Sequence, residues 1–228
     1  MPRPDFRDDH QLRPLACVLG EISEATGSCT FSHGHTEATA TVYGPSQPKY
    51  TRHERFDSAC LEVTFSVLGS GSGTARVERS AAKFLRQALT GAVVLTDHPR
   101  MLIAVKVCVV RDDGAMLSVA LNAAALALLD AGIGMRYVPN AVTICSSRSS
   151  SSALVLDPTA AEEDGAAALY LFALNPSATS ASSVLYTHAI GTEVTTAQLD
   201  ESLALATQAA KVVETFARGL VKERAGLE

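Results

Sequence analysis

The chain has 228 residues, 47% of them apolar and 19% charged, and its 19 Lys and Arg against 24 Asp and Glu leave a formal charge of −5 at pH 7. That apolar content excludes a disordered polyelectrolyte, and the net negative charge excludes histone-like binding of nucleic acid, so a polyanion has to meet a local basic patch. Length alone admits one large domain or two small ones. Residues 1–10 are charged and aperiodic, with no apolar signal core, and read as a flexible N-terminal tail ahead of one domain over residues 11–228.

Leu12 to Glu21 and Ser28 to Val42 carry strand-like composition, which Gly44-Pro45 is expected to end. Between Asp57 and Leu68 the chain alternates Leu61, Val63, Phe65 against Cys60, Glu62, Thr64, the period-2 pattern of an edge or half-exposed strand. After Gly69–Gly73, Val77, Ala81, Phe84, Leu85 and Ala88 recur at helical spacing through about Gly91. Asp97-His98-Pro99 turns the chain into Met101–Val110, an apolar, β-branched run that reads as a central strand.

Met116–Asp130 is rich in Ala and Leu on every side, the pattern of a buried helix, and Gly132 supplies its stop. Asn140–Cys145 and Ala153–Leu156 read as strands around a Ser-rich hairpin loop, followed by strands at Ala168–Leu174 and Val184–Ala189. Thr195 and Gln198 form a capping-box pattern, and Leu199, Leu203, Ala206, Ala210, Val213, Ala217 and Leu220 then define one stripe of a long C-terminal helix. Clustered strands with three helices out of strict alternation indicate an α+β fold with mixed sheets.

Few residues announce chemistry. Gly69–Gly73 lacks the Gly-Lys-Ser/Thr ending of a phosphate loop and reads as a connector. His33 and His35 could share a strand face and a metal, but no third ligand is near in sequence, and no metal or other cofactor is expected. Asp157, Glu162, Glu163 and Asp164 could hold Mg²⁺ or supply a general acid, although Thr159–Glu162 also fits a capping box. Arg76, Arg79, Lys83 and Arg86 on neighbouring turns of one helix offer a basic patch for RNA, or a solvated helix face. The five cysteines, Cys17, Cys29, Cys60, Cys108 and Cys145, are odd in number and without a Cys-x-x-Cys pair, so they read as small buried hydrophobes in a reducing compartment. Apolar runs are broken before the ~20 residues that span a bilayer, so no membrane partner is expected.

In order and spacing, Leu12-Arg-Pro14, Gly27-Ser28, Gly34-His-Thr36, Val42-Tyr-Gly-Pro45, His98-Pro-Arg100, Asn122-Ala-Ala124, Leu129-Asp-Ala-Gly132 and Leu156-Asp-Pro-Thr159 resemble the RNase PH family from Gln11 to about Lys222. Within it the chain is most similar to the non-catalytic RNase PH-like ring subunits of the eukaryotic RNA exosome. The resemblance implies two β-α-β-α halves of the ribosomal-protein-S5-like type. It also implies RNA and other RNase PH-like exosome subunits as partners in a hetero-oligomeric ring, and a place in nucleus, nucleolus and cytoplasm.

Active members of the family shorten RNA from its 3′ end by phosphorolysis. Their Gly-Thr-Arg phosphate motif falls on Ala115, Met116 and Leu117, and their paired aspartates fall on Glu163 and Leu169. Two arginines of the family fall on Gln87 and Thr90, with Arg86 one position away, roughly 100° round the helix. Gly34-His35-Thr36 stands where Gly-Asp-Thr or Gly-Asn-Thr is usual. Losses at each element of one site beside an intact frame imply a structural subunit in which Met116, Leu117, Glu163, Leu169 and Gln87 are vestigial and no residue is catalytic. The alternative is an active nuclease, phosphorolytic or metal-dependent, working alone or as a homodimer.

Overall fold

The computed structural model describes residue 3 and residues 7–48, 54–69, 74–147, 154–177, 184–191 and 194–226. A first sheet is built from β1 (Leu15–Leu19), β2 (Gly27–His33), β3 (Thr36–Ser46), β4 (Cys60–Val67) and β5 (Leu102–Arg111), in the order β1-β2-β3-β5-β4. Its pairs are antiparallel except β4 with β5, which run parallel and are joined through helix α1 (Ala75–Ala92). The second sheet is antiparallel throughout, with β6 (Asn140–Ser147), β7 (Leu154–Leu156), β8 (Ala166–Leu174) and β9 (Val184–Gly191) in the order β7-β6-β8-β9.

Helix α2 (Met116–Asp130) lies between the sheets, against β2, β3 and β5 on one side and β6 and β8 on the other. That position explains its composition, since a helix covered on both faces has no polar stripe to offer water. Its one mid-helix amide is bonded through both oxygen and nitrogen: Asn122 accepts from the Ala141 N–H at 2.8 Å and donates to the Ala141 carbonyl at 3.2 Å, fixing α2 on β6. At the other end, a Cβ on Gly27 would stand 2.3 Å from the Ala131 nitrogen, so only glycine lets β2 start this close to α2.

Helix α4 (Thr196–Ala225) carries the expected stripe and splits it between two clusters. Ala206, Ala209 and Ala210 pack with Tyr170 and Phe172 of the second sheet, whereas Val213 and Ala217 join the cluster of the first. Thr195 caps it as the pattern predicts, its hydroxyl accepting from the Gln198 N–H at 3.3 Å.

Four details depart from the sequence reading. Gly44-Pro45 does not end β3, because the register shifts between Tyr43 and Ser46 and the proline occupies the irregularity, where no ladder donor is needed. Val77 stands 52% exposed at the open end of α1, and Leu89 and Ala92 complete the buried stripe in its place. Thr159-Ala-Ala-Glu162 begins a fourth, short helix, α3 (Ala160–Asp164). Residues 70–73, most of the glycine connector, lie outside the described residues.

One buried ion pair joins the two halves. Arg13, just before β1, donates its backbone N–H and Nε to Oδ2 of Asp157 and its Nη2 to Oδ1 at 2.7 Å, while its remaining donors reach Thr36 Oγ1 and the carbonyls of Asp113 and Gly114. Of the segment read as a flexible tail, the described part is held on the same corner. Arg3 is buried, donates to the carbonyls of Leu156 and Asp157 and pairs with Glu162 at 2.9 Å, and the Asp9 carbonyl accepts from the Leu156 N–H.

Burial opposes ionisation of Asp157, but its cationic neighbours outweigh that penalty and hold the carboxyl well below the ordinary range. Arg13 does most of this through short bonds, since His33 Nδ1 stands 3.5 Å away without hydrogen-bond geometry. A depressed folded-state pKa stabilises fully above the unfolded value near 4 and loses that contribution as pH falls through the folded one. Asp157→Asn, which leaves Arg13 buried and unpaired, is expected to cost about 3–5 kcal/mol in urea unfolding at pH 7. The difference from wild type should shrink below about pH 4, where the wild-type carboxylate begins to lose this advantage.

Candidate functional site

The site lies where α2 begins. Gly114 (φ +83°) and Ala115 (φ +56°) turn the chain from β5 into the helix, and Gly114 approaches the Pro158 carbonyl so closely that a Cβ would sit 2.6 Å from it. This contact brings α3 against the helix start, where Oε1 of Glu163 accepts the Ala115 N–H at 2.7 Å. A carboxylate of the chain itself therefore occupies the anion-attracting end of α2. Burial raises the Glu163 pKa, with Asp112 and Asp157 adding to the shift and the bond from Ala115 and the charge of Arg13 opposing it.

Met116, Leu117, Glu163 and Leu169, far apart in sequence, line one cavity of about 110 Å³. It adjoins a groove of about 490 Å³ between α1 and β9, and Leu117, Leu171, His188 and Ile190 border both. Arg76, Ser80, Lys83 and Gln87 face the groove from α1, at the spacing that stacks side chains along one helix face. Arg79 and Arg86 are exposed on the neighbouring face, and Arg79 Nε donates to the Ala75 carbonyl of its own helix. Two of the four basic residues thus border the groove and two do not.

The acidic residues diverge instead of converging. Asp157 is spent on Arg13, Glu162 on Arg3 and the Thr159 N–H, Glu163 on Ala115, and Asp164 is exposed. His33 and His35 do not share a face: His33 is buried beside Asp157, whereas Gly34 (φ +56°) turns the chain so that His35 is exposed. Among the described residues no group of three His, Cys, Asp or Glu could hold a metal ion.

Sequence reasoning passed over His188, which borders both cavity and groove. Tyr186, His188 and Ile190 occupy alternate positions of β9 and all line the groove, so a period-2 reading would have placed them together. The site thus offers hydrocarbon at Met116, Leu117 and Leu169, one half-buried carboxylate and a cationic rim. A multiply charged anion would lose hydration in the cavity, whose lining holds no lysine or arginine.

Residues 11–134 match the 3′ exoribonuclease family, domain 1, known as RNase PH. The chain belongs to the RNase PH family. Over 228 residues it is 30% identical to the exosome complex component RRP41-like of Arabidopsis thaliana, covering 98% of this chain and 85% of that one. It is 38% identical over 161 residues to the exosome complex exonuclease RRP46 homolog of the same plant, a match that takes in 71% of this chain and 65% of the relative. The crystal structure of rice Rrp46 superposes with a TM-score of 0.85 at 25% identity, covering 95% of this chain and 98% of that one. An Archaeoglobus fulgidus exosome with RNA bound to the active site superposes at 0.77 with 19% identity over 94% of this chain and 92% of that one, a likeness of fold. The two sheets and the long C-terminal helix are therefore the RNase PH fold.

The role of Glu163 as a cap can be tested by substitution. Glu163→Gln keeps an acceptor for the Ala115 N–H and removes a partly desolvated charge, so at pH 7 it should unfold at no lower urea concentration than wild type. Because the folded-state pKa of Glu163 is raised, any advantage of this variant should fade as pH falls through that pKa and wild type takes up its proton. Glu163→Ala leaves the helix end uncapped and should unfold more readily than Glu163→Gln, by about 1 kcal/mol.

Proposed function

We propose that this chain is a structural, non-catalytic RNase PH-like subunit of a hetero-oligomeric RNA exosome ring, working in nucleus, nucleolus and cytoplasm and supporting 3′-to-5′ RNA processing and degradation without cleaving RNA itself. The observation that carries the reading is the Glu163 carboxylate on the N–H of Ala115, the residue that caps the start of α2, in a cavity walled by Leu117 and Leu169. Phosphorolysis needs a cationic, donor-rich pocket for its nucleophile, and an acid walled by hydrocarbon repels that nucleophile. Membership of the exosome is supported by relatives named as exosome components and by the match to rice Rrp46 along nearly the whole chain.

A ring of homologous chains needs two different faces on each subunit. Exposed apolar side chains stand on edge strands of different sheets, Val18 on β1 and Ile190 on β9. Arg76 and Lys83 on the groove rim supply cations for RNA phosphates. Replacing both by alanine should weaken single-stranded RNA binding and lower the slope of log affinity against log salt by about 1.4, whereas the same change at Arg79 and Arg86 should do less. An unchanged slope in the first variant would remove the groove from RNA binding.

The deciding experiment incubates the purified chain with a 3′-overhang RNA, with and without inorganic phosphate and Mg²⁺. Intact RNA under all conditions is expected. Nucleoside diphosphates appearing only with phosphate would overturn the reading in favour of an active phosphorolytic enzyme, alone or as a homodimer. Monophosphates formed with Mg²⁺ but without phosphate would overturn it in favour of metal-assisted hydrolysis.

A further inference from the structure

Two of the five cysteines are not isolated. Cys17 on β1 and Cys29 on β2 are offset by two residues across an antiparallel pair, Cys17 standing opposite Phe31 and Cys29 opposite Leu19. Equal parity puts both side chains on one face of the sheet, where their sulfurs are 3.3 Å apart. Their exposure differs: Cys29 is fully buried, while Cys17, on the edge strand, is partly open to solvent. We propose that Cys17 and Cys29 form a reversible disulfide on exposure to a peroxide, with Cys17 as the attacking thiol and Cys29 as the resolving one.

The local electrostatics fit this order. The hydrogen bond with Cys29 lowers the Cys17 pKa, against burial and the nearby Asp130 carboxylate, while the same bond and burial push Cys29 up. The reactive species, a thiolate, therefore forms at the accessible sulfur. It attacks one oxygen of hydrogen peroxide, the O–O bond breaks, the other oxygen leaves as hydroxide and is protonated to water, and Cys17 becomes a sulfenic acid. With the negative charge at Cys17 gone, Cys29 gives up its proton and attacks the Cys17 sulfur. The S–O bond breaks and the departing hydroxide takes that proton to become a second water. Two thiols and one peroxide yield one disulfide and two waters.

The bond closes the loop of residues 18–28 and staples β1, which pairs on one side alone, to β2. The full-length chain treated with a small excess of hydrogen peroxide, alkylated and cut by a glutamate-specific protease tests the proposal, because Glu21 and Glu24 lie between the two cysteines. The Cys17 and Cys29 fragments should be recovered joined, lighter than their sum by two hydrogens and released by reductant, with Cys60, Cys108 and Cys145 alkylated. The thermal midpoint should rise by about 5–10 °C on oxidation and fall back on reduction. Cys29→Ala should stop the reaction at a Cys17 sulfenic acid that dimedone traps, and Cys17→Ala should leave Cys29 unoxidised. Recovery of Cys17 and Cys29 as free thiols, or Cys17 joined to any other cysteine, would overturn the proposal, and the wild-type measurement decides this without either variant.

Discussion

Arg13 and Asp157 are 144 residues apart in sequence and meet through two charge-assisted bonds in the interior. Around that pair the chain gathers the start of β1, the turn between β2 and β3 through Thr36, the loop before α2 through Asp113 and Gly114, and the corner between β7 and α3. Three other segments are thereby tied to the start of β1 by one guanidinium, whose planar fork can serve several acceptors at once. Desolvating such a pair is expensive, and the compensation lies in the number of acceptors it satisfies. Everything at the start of α2 inherits its position from this corner.

That inheritance separates the contacts that place the helix from the side chains that line the site at its start. Gly27 against Ala131, Asn122 against Ala141 and Gly114 against Pro158 are contacts of backbone with backbone or amide, and they specify where α2 lies. The residues that line the cavity at its end, Met116, Leu117 and Leu169, take no part in those contacts. Their character can therefore vary without moving the helix, and the Glu163 carboxylate lies at the helix start, where the dipole favours negative charge. Placement and chemistry are carried by different side chains on the same elements.

Local periodicity made most of the elements legible. The alternation of Leu61, Val63 and Phe65 fits an edge strand, and the apolar run of α2 fits a helix covered on both faces. What stayed hidden depends on distance or on exception. Pro45 reads as a terminator unless the bulge that accommodates it is known, and nothing local separates Val77 from the stripe whose spacing it shares. The acidic residues from Asp157 to Asp164 look like a cluster in sequence, yet their partners Arg13, Arg3 and Ala115 all come from remote segments that send the carboxylates in different directions. The family resemblance singled out Met116, Leu117, Glu163 and Leu169, and the structure brings these four around one cavity with Glu163 bonded to the Ala115 N–H.

Helix α4 has a bearing on how the molecule is made. It covers part of both clusters, and it follows in synthesis every strand it covers. On a translating ribosome both sheets must wait with an apolar face uncovered until this helix emerges, and the Arg13 corner must wait for Asp157. Contacts of such wide sequence separation slow folding and lengthen the interval in which exposed strands can meet the wrong neighbour. A nascent chain of this design has reason to depend on chaperones, even though its finished form leaves little of either core in view.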